Sequence, residues 1–219
     1  MPCRIAIDGP AGSGKTTVAK LLAKKLGFYY LDTGAMYRIV GLYLKSKNIN
    51  ENSIKEISEE LKNLKIEFKK GQFYVNGKKV SDEIRTPEVG IYASKFASIP
   101  VVREFLTKIQ REISLNENIV VEGRDIGTVV IPDAEVKIFL TASQEERAKR
   151  RYNELKNKGV QVGYQDILNE IILRDKQDSE RDIAPLTKAE DAILIDSTNL
   201  SLEKIVNQIY GVVKEKCRL

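Results

Sequence analysis

The sequence predicts a three-layer α/β fold in which helices cover both faces of a five-stranded parallel sheet. Two observations carry this prediction. Five short runs rich in β-branched residues recur along the 219-residue chain, and most of them are continuously apolar, as buried parallel strands are. Helical segments separate these runs, an alternation typical of an open parallel sheet. Because ligands of such sheets gather at the carboxyl ends of the strands, the loops that follow them are the first place to search for a site.

The predicted strands and helices alternate along most of the chain. The strands cover residues 4–8, 28–31, 119–122, 136–140 and 192–196. The helices cover about residues 15–26, 34–46, 143–158, 164–178 and 200–216. Ser143 and Ser201 are suitable N-caps for the helices that they precede, since an acidic first turn follows each of them.

One stretch interrupts this alternation between the second and third strands. Residues 65–80 alternate apolar and polar side chains around the turn signals Lys70-Gly71 and Asn76-Gly77, which predicts two or three small antiparallel strands. Helices near residues 86–98 and 101–115 follow, broken at Pro100. The sequence therefore indicates a single domain with a core of residues 1–49 and 116–219 and an inserted region of residues 50–115. The insertion is either a functional part or a surface elaboration.

The most specific pattern lies between the first strand and the first helix. Residues 9–17 read GPAGSGKTT and match the phosphate-loop pattern G-x-x-x-x-G-K-[ST], which binds a polyphosphate through backbone N–H groups and the positive end of the following helix. We expect the Lys15 ammonium to be exposed and to reach the β and γ phosphates, and the Thr16 hydroxyl to ligate Mg²⁺. The dinucleotide pattern G-x-G-x-x-G is not met, because Thr17 stands where its third glycine should be. The predicted nucleotide-binding residues are Gly9, Pro10, Ala11, Gly12, Ser13, Gly14, Lys15, Thr16 and Thr17.

Composition excludes several classes of function. The net charge of +5 is spread along the chain, which favours phosphate-bearing small molecules over nucleic acid. No apolar run approaches the length of a membrane span and no signal peptide precedes the first strand, so we expect a cytoplasmic protein that does not bind membranes. The chain has no histidine, which excludes histidine-based acid or base catalysis, and zinc sites are excluded with it. Cys3 and Cys217 lie near opposite ends of the chain and are expected to be plain thiols.

Two further motifs follow predicted strands and can complete a site. The segment DTGAMYR begins at Asp32 and places Thr33 at a helix start, with Arg38 within about one and a half turns of it, so both can hold a second phosphate. The segment EGRD leaves the third strand at Glu122 and carries Arg124 and Asp125. Each motif also has a simpler interpretation, because an arginine on a helix is usually solvated.

Arginines cluster again in the last third of the chain. Arg147, Arg150 and Arg151 fall at i, i+3 and i+4 and share one helix face. Beyond a short loop, Arg174 and Asp178 are again four residues apart, and Arg181 follows. Singly, each could be a surface ion pair worth well under about 1 kcal/mol. Together they indicate a lid, over about residues 150–166, that closes over phosphates and supplies charge to a transferring phosphoryl group.

With these motifs in place, the chain resembles the bacterial cytidylate kinases, which are P-loop nucleoside monophosphate kinases. The resemblance covers nearly the whole length and rests on the order and spacing of GPAGSGKTT, LDTGAMYR, SDEIRTPEVG, VVREFL, VEGRDIGTVVIPDA and RDIAPL. It implies the P-loop NTPase fold, a monomer, and transfer of a phosphoryl group from ATP with Mg²⁺ to CMP or dCMP, giving CDP or dCDP. It also implies that the insertion is a monophosphate-binding region that moves when substrate binds.

The resemblance further assigns roles to individual residues. It implies that Thr33 and Arg38 contact the monophosphate, and that Asp178 holds the sugar hydroxyls. The residues that it places around the cytosine are Ser94, Arg103 and Asp125. The arginines that it assigns to phosphates are Arg124, Arg174 and Arg181, which act in catalysis with Lys15, and Arg150 is assigned to ATP. Residues 159–166 match the family least.

The absence of histidine agrees with this chemistry. The phosphate of a nucleoside monophosphate has a second pKa near 6, so it already offers an oxygen nucleophile at neutral pH and needs no general base. Two alternatives remain open. The first is a kinase for another acceptor, such as UMP, AMP or a small alcohol. An alcohol acceptor would need a carboxylate base, and Asp32 or Asp125 could serve as one. The second is a regulatory GTPase, although the chain lacks the guanine-reading N-K-x-D pattern. After the third strand it has Asp125-Ile126-Gly127-Thr128, where a GTPase would need D-x-x-G.

Overall fold

A five-stranded parallel sheet forms the centre of the computed structural model, which describes residues 2–218. Its strands are β1 (Arg4–Asp8), β2 (Tyr29–Asp32), β6 (Ile119–Gly123), β7 (Val136–Thr141) and β8 (Ile193–Asp196). Their order across the sheet is β2-β6-β1-β7-β8. The predicted strands are confirmed to within one residue at each end. Strands β1 and β6, which two of the three motifs follow, lie side by side.

The described residues form eight α-helices, five that accompany the sheet and three in the insertion. They are α1 (Lys15–Leu26), α2 (Thr33–Ser46), α3 (Ile54–Lys62), α4 (Pro87–Ala97), α5 (Pro100–Ser114), α6 (Gln144–Asn157), α7 (Tyr164–Glu180) and α8 (Leu202–Lys216). Ser143 and Ser201 cap α6 and α8 as predicted, accepting hydrogen bonds from the N–H groups of Glu146 and Lys204. Pro100 stands in the first turn of α5, where its missing N–H costs nothing, which explains the break between α4 and α5.

Two apolar cores lie on opposite faces of the sheet. Neighbouring strand residues point to opposite faces, so Ile5 and Ile7 pack with α1 and α8, whereas Ala6 packs with α2 and α5. Val120 and Val121 divide between the same two cores. This division produces the predicted three layers.

The insertion contains an antiparallel sheet and three helices. The sheet comprises β3 (Ile66–Lys69), β4 (Gln72–Val75) and β5 (Lys78–Lys79), joined by turns at the two predicted positions. Helix α3 was not predicted, although Ile57 and Leu61 recur at helical spacing and are both buried. The insertion packs into the same core as α2, because Ile57, Phe96 and Val102 join that cluster.

The two cysteines form a disulfide, so the expectation of plain thiols was wrong. Cys3 and Cys217 are bonded, and their Cα atoms lie 5.8 Å apart, an ordinary spacing for a bridge. The reason is tertiary: α8 and β1 pack in the same core, which brings Cys217, the residue after α8, to the amino end of that strand. A separation of 214 residues in the chain gave no sign of this contact.

Within residues 2–218, the structure has no helix with the length and apolar content that crossing a lipid bilayer requires.

Candidate active site

The phosphate loop connects β1 to α1 and needs its glycines. Gly9, Gly12 and Gly14 all have positive φ angles, of 149°, 74° and 92°. A Cβ at Gly9 would lie 1.9 Å from the carbonyl oxygen of Leu140, and one at Gly12 would lie 3.1 Å from the Cβ of Arg147. The loop therefore fits only a chain without side chains at these positions, and it leads its backbone into the N-terminus of α1, where anions bind.

Lys15 is buried, contrary to the expectation of an exposed ammonium. Its side chain folds across the loop, and Nζ donates a hydrogen bond to the carbonyl oxygen of Pro10 at 2.8 Å. Burial and the positive charge of Arg124 lower the pKa of Lys15. The Ser13 hydroxyl is also buried and has no hydrogen-bond partner within the described chain. The loop thus holds a buried hydroxyl whose partner is not supplied by the described residues, as a ligand site does.

Thr16 and Glu122 form the group that could hold a metal. The Thr16 Oγ1 donates to the Glu122 Oε2 at 3.1 Å, and the Tyr30 hydroxyl donates to the Glu122 Oε1 at 2.5 Å. Glu122 is buried at the carboxyl end of β6, and burial and the negative charge of Asp32 raise its pKa. Hydroxyl and carboxylate oxygens are the ligands that Mg²⁺ prefers, so the donor set fits this ion.

The protein alone does not enclose such an ion. Among residues 2–218 there is no group of three or more His, Cys, Asp or Glu side chains that could hold a metal. Magnesium in kinases is usually held by one or two protein groups together with substrate phosphates, which agrees with this sparse set. Sequence reasoning quoted Glu122 without assigning it a role. A signal for its role was available in the sequence, because Glu122 is the last residue of the predicted strand 119–122 and ligands gather at the carboxyl ends of parallel strands.

Asp8 connects the phosphate loop to the segment after β6. Its buried carboxylate accepts hydrogen bonds from the N–H groups of Ile126 and Gly127, at 2.8 and 2.7 Å. Desolvation raises the pKa of Asp8 to about 6, against the opposing effect of these two bonds. The contact fixes a turn of π-helix over Ile126–Val130, and therefore also the position of Asp125 just before it.

Arg103 and Asp125 lie together, as the resemblance implies, but they are bonded to each other. The Arg103 Nη2 lies 2.5 Å from the Asp125 Oδ2, and both residues are buried. The Arg103 guanidinium also donates to the carbonyl oxygen of Ala97 and lies 5.5 Å from the centre of the Tyr37 ring. Burial raises the pKa of Tyr37 to about 12. A hydrogen-bond donor, Arg103, and an acceptor, Asp125, thus lie side by side, and both are largely shielded from water.

Ser94 is less closely tied to this pair. It lies on α4 and is exposed, and its hydroxyl makes no hydrogen bond to any residue between 2 and 218.

Three predicted phosphate arginines surround Asp178. The Arg124 Nε donates to the Asp178 Oδ2 at 2.8 Å, and Arg181 lies 3.9 Å from Asp178 and 3.6 Å from Asp125. Although burial opposes it, the charge of Arg124 lowers the pKa of Asp178. Desolvation and the charge of Arg124 lower the pKa of Arg174, which has no ion pair within the described residues. Positive charge exceeds negative charge here, so the cluster favours an anionic ligand.

Thr33 begins α2 and Arg38 lies in its second turn, as predicted, and both already have hydrogen-bond partners. The Thr33 hydroxyl donates to the carbonyl oxygen of Glu122 at 2.7 Å. Arg38 is half-buried and donates to the carbonyl oxygens of Ile84 and Thr86 in the insertion, at 3.1 and 3.3 Å. Burial lowers the pKa of Arg38. No carboxylate pairs with Arg38 in the part of the chain that the structure describes, which leaves its charge available for a phosphate.

The three arginines of α6 do not act as one group. Arg147 is buried, and its guanidinium donates two hydrogen bonds to the carboxylate of Asp175 on α7. It also donates to the carbonyl oxygen of Ala11 in the phosphate loop. Arg150 reaches the carbonyl oxygens of Ser13 and Ser197. Arg151 is exposed and pairs only with its helix neighbour Glu154 within the described chain. Arg147 therefore supports the phosphate loop, with Asp175 as its partner. Arg150 also contacts the loop, through the carbonyl oxygen of Ser13, and is the candidate for a contact with ATP.

Comparisons with known proteins agree with these motifs. The family described as cytidylate kinase matches residues 5–215. The chain is 69% identical over 219 residues to the cytidylate kinase of Thermosipho melanesiensis, with 100% of both chains covered. It is 62% identical over 219 residues to the cytidylate kinase of Fervidobacterium nodosum, again with 100% of both covered.

Solved structures share the fold at low sequence identity. An uncharacterized protein from Eubacterium ventriosum has a TM-score of 0.55 and 16% identity, with 97% of this chain and 98% of that chain covered. Shikimate kinase from Bacteroides thetaiotaomicron has a TM-score of 0.50 and 15% identity, with 99% of each chain covered. At these identities the likeness concerns the fold alone, which is that of P-loop kinases.

Proposed function

The chain belongs to the cytidylate kinase family, and we propose that its cleft transfers the γ-phosphoryl group of ATP to CMP or dCMP with Mg²⁺ bound at Thr16. One observation carries the assignment of the site. The phosphate loop follows β1, and Asp125, which pairs with the buried Arg103 of α5, follows the neighbouring strand β6. Asp8 connects the two segments. Phosphate donor and cytosine would therefore lie at the same edge of the sheet.

The donor side consists of the phosphate loop and its neighbours. Residues 9–17 hold the phosphates of ATP, and Lys15 leaves the carbonyl oxygen of Pro10 to neutralise the β and γ phosphates. Thr16 would hold Mg²⁺, with Glu122 as the acceptor that orients its hydroxyl. When bound, the ion would supply charge neutralisation to the transferring group. Arg150 contacts ATP from α6.

The acceptor side consists of arginines around a phosphate and one carboxylate for the sugar. Thr33 and Arg38 bind the phosphate of CMP. An oxygen of this phosphate attacks the γ-phosphorus, and the bond from that phosphorus to the bridging oxygen of ADP breaks. Arg124, Arg174 and Arg181 stabilise the charge on the transferring group, and Asp178 binds the sugar hydroxyls.

The base is selected by the polarity of hydrogen bonds. Cytosine presents an amino donor at N4 and acceptors at N3 and O2, whereas uracil has an acceptor at O4 and a donor at N3. Arg103 can only donate, and ionised Asp125 can only accept. Inserted between them, cytosine replaces their mutual bond with two complementary ones, whereas uracil sets O4 against the carboxylate and N3–H against the guanidinium. Buried groups left unpaired in this way give strong discrimination.

We also propose a division of the chain into moving parts. The insertion, residues 50–115, binds the monophosphate and moves with it, and residues 150–166 form a lid over ATP. The hydrogen bonds from Arg38 to the insertion backbone support this proposal, because a phosphate on Arg38 would act directly on the insertion.

An ADP-release assay with CMP, dCMP, UMP and AMP tests the base assignment. We expect kcat/KM for CMP and dCMP to exceed that for the other two by far. Asp125→Asn keeps the shape of the side chain but offers an amide donor that suits the O4 of uracil. It should lower the CMP to UMP ratio by about 10- to 100-fold, as loss of one hydrogen bond to a charged group does.

Arg38→Ala is the matched control for this experiment, since it removes a phosphate contact and should slow CMP and UMP alike. Thermal melting of each variant confirms that it is folded. Equal losses for both bases in Asp125→Asn would show that Asp125 does not read the ring, and a chain that prefers UMP or AMP would exclude the cytosine assignment.

A further inference from the structure

Tyr30 has a role at this site that the motifs did not indicate. It lies on β2 opposite Val120 of β6, so Glu122 is its diagonal neighbour on the same face of the sheet. Its hydroxyl reaches along the strand and donates to the Glu122 Oε1 at 2.5 Å. The ring packs in the core beneath α1, the helix that carries Thr16.

Both oxygens of the Glu122 carboxylate are therefore engaged, each by a different hydroxyl. Oε1 accepts from Tyr30, and Oε2 accepts from Thr16 at 3.1 Å. Glu122 is only 4% exposed, so water cannot readily take the place of either donor. Within residues 2–218, no other side chain donates to Oε1, which makes Tyr30 the group that fixes the rotation of the carboxylate.

This rotation matters for the way in which Thr16 can bind a cation. A hydroxyl ligand must direct its hydrogen away from the ion and its lone pairs toward it. Glu122 Oε2 accepts the hydrogen of Thr16, so the lone pairs of Oγ1 are left for the ion. If the carboxylate turned, the hydroxyl would lose its acceptor and its orientation.

We propose that Tyr30 is a positioning residue that holds Glu122 so that Thr16 presents its oxygen to Mg²⁺. This inference rests on the magnesium site proposed above. Outer partners of metal ligands commonly set metal affinity, and their loss costs about 10- to 100-fold. Tyr30 acts through Glu122 and touches no reacting atom.

The test measures Mn²⁺ binding to the enzyme–ADP complex by the electron paramagnetic resonance signal of free Mn²⁺. Tyr30→Phe removes only the hydroxyl and keeps the ring in the core, so the variant should fold. We expect its Mn²⁺ affinity to fall by about tenfold. The KM for CMP, which depends on other residues, should stay unchanged.

Tyr29→Phe is the matched control, because it makes the same chemical change on the neighbouring residue. Tyr29 is 40% exposed, and its hydroxyl has no hydrogen bond to any residue in the described chain. Its substitution should leave Mn²⁺ binding as in the wild type.

A double-mutant cycle with Glu122→Ala separates positioning from a general effect, because alanine leaves no acceptor for the Tyr30 hydroxyl. If Tyr30 acts through Glu122, Tyr30→Phe in the Glu122→Ala background changes nothing. Additive losses, or an affinity of Tyr30→Phe within twofold of the wild type, would overturn the inference while leaving the metal site intact. Equal Mn²⁺ binding by wild type and Thr16→Ala would instead overturn the metal site, and this inference with it.

Discussion

At the scale of single residues, Gly41 shows how a missing side chain can hold two helices together. It lies on α2, and an added Cβ would stand 2.8 Å from the amide nitrogen of Ala93 and 3.1 Å from the carbonyl carbon of Tyr92, both on α4. These are backbone atoms, which cannot turn aside as a flexible side chain can. The absence of a Cβ therefore lets the insertion helix approach α2 closely.

Glycine-to-alanine substitutions at Gly41 and Gly211 test whether α4 requires a missing Cβ on α2. In a helix interior, alanine is favoured over glycine by about 1 kcal/mol. Gly211 on α8 has nothing within 4 Å of its added Cβ, so Gly211→Ala should raise the free energy of unfolding by up to about 1 kcal/mol. At Gly41 the crowding of α4 costs about 1–3 kcal/mol, which exceeds that gain. Gly41→Ala should thus be less stable than the wild type in urea unfolding. A variant as stable as Gly211→Ala would show that α4 shifts without cost.

Sequence reasoning proposed candidate site residues but could not predict their surroundings. The spacing of the phosphate loop assigns expected roles to Lys15 and Thr16, because motif spacing is local, and these roles stay predictions. It did not show that Lys15 bends back onto Pro10, or that Tyr30 and Glu122 meet Thr16. The contacts of Tyr30 and Glu122 join strands β2 and β6 to helix α1, so no local pattern in the sequence contains them. The Lys15 contact is local, but motif spacing does not show how the loop folds.

At the scale of elements, the predicted sheet is confirmed because its strands are short, apolar and separated by well-capped helices. The unpredicted elements have other causes. The π-helix turn over Ile126–Val130 depends on Asp8, which lies 118 residues before Ile126 and supplies acceptors for two of its N–H groups. Helix α3 had the amphipathic spacing of a helix, but it is only 9 residues long and directly precedes the antiparallel strands.

The insertion should respond to the acceptor alone. Arg38 on α2 holds the insertion through the carbonyl oxygens of Ile84 and Thr86. When the phosphate of CMP binds Arg38, we expect slower amide hydrogen exchange across residues 50–115 in the absence of ATP, since ligand binding suppresses local opening.

The proposed lid, residues 150–166, provides the internal comparison for that experiment. A non-hydrolysable ATP analogue without CMP should slow exchange mainly in the phosphate loop and in residues 150–166. Protection by CMP confined to the phosphate loop would show that the insertion does not take part in binding the acceptor.

At the scale of the whole molecule, the site and the disulfide lie at opposite edges of the sheet. The phosphate loop and Asp125 follow the carboxyl ends of strands, and Glu122 lies at one of these ends, whereas Cys3 precedes the amino end of β1. The bridge joins the first strand to the end of the last helix and so encloses almost the entire chain, with a separation of 214 residues. Closing so long a loop restricts the unfolded chain strongly and leaves the catalytic edge untouched.

Loss of the bridge should therefore lower stability without slowing catalysis. Cys217 is only half-buried, whereas Cys3 is buried, so Cys217→Ser is the substitution that perturbs the core least. We expect it to lower the free energy of unfolding by about 2–5 kcal/mol, because the unfolded chain regains the entropy that the bridge removes. Its kcat/KM for CMP should equal that of the wild type at a temperature where both are folded. Dithiothreitol should lower the urea midpoint of the wild type to that of Cys217→Ser and leave the variant unchanged. A wild-type midpoint that does not respond to the reductant would contradict a stabilising bridge.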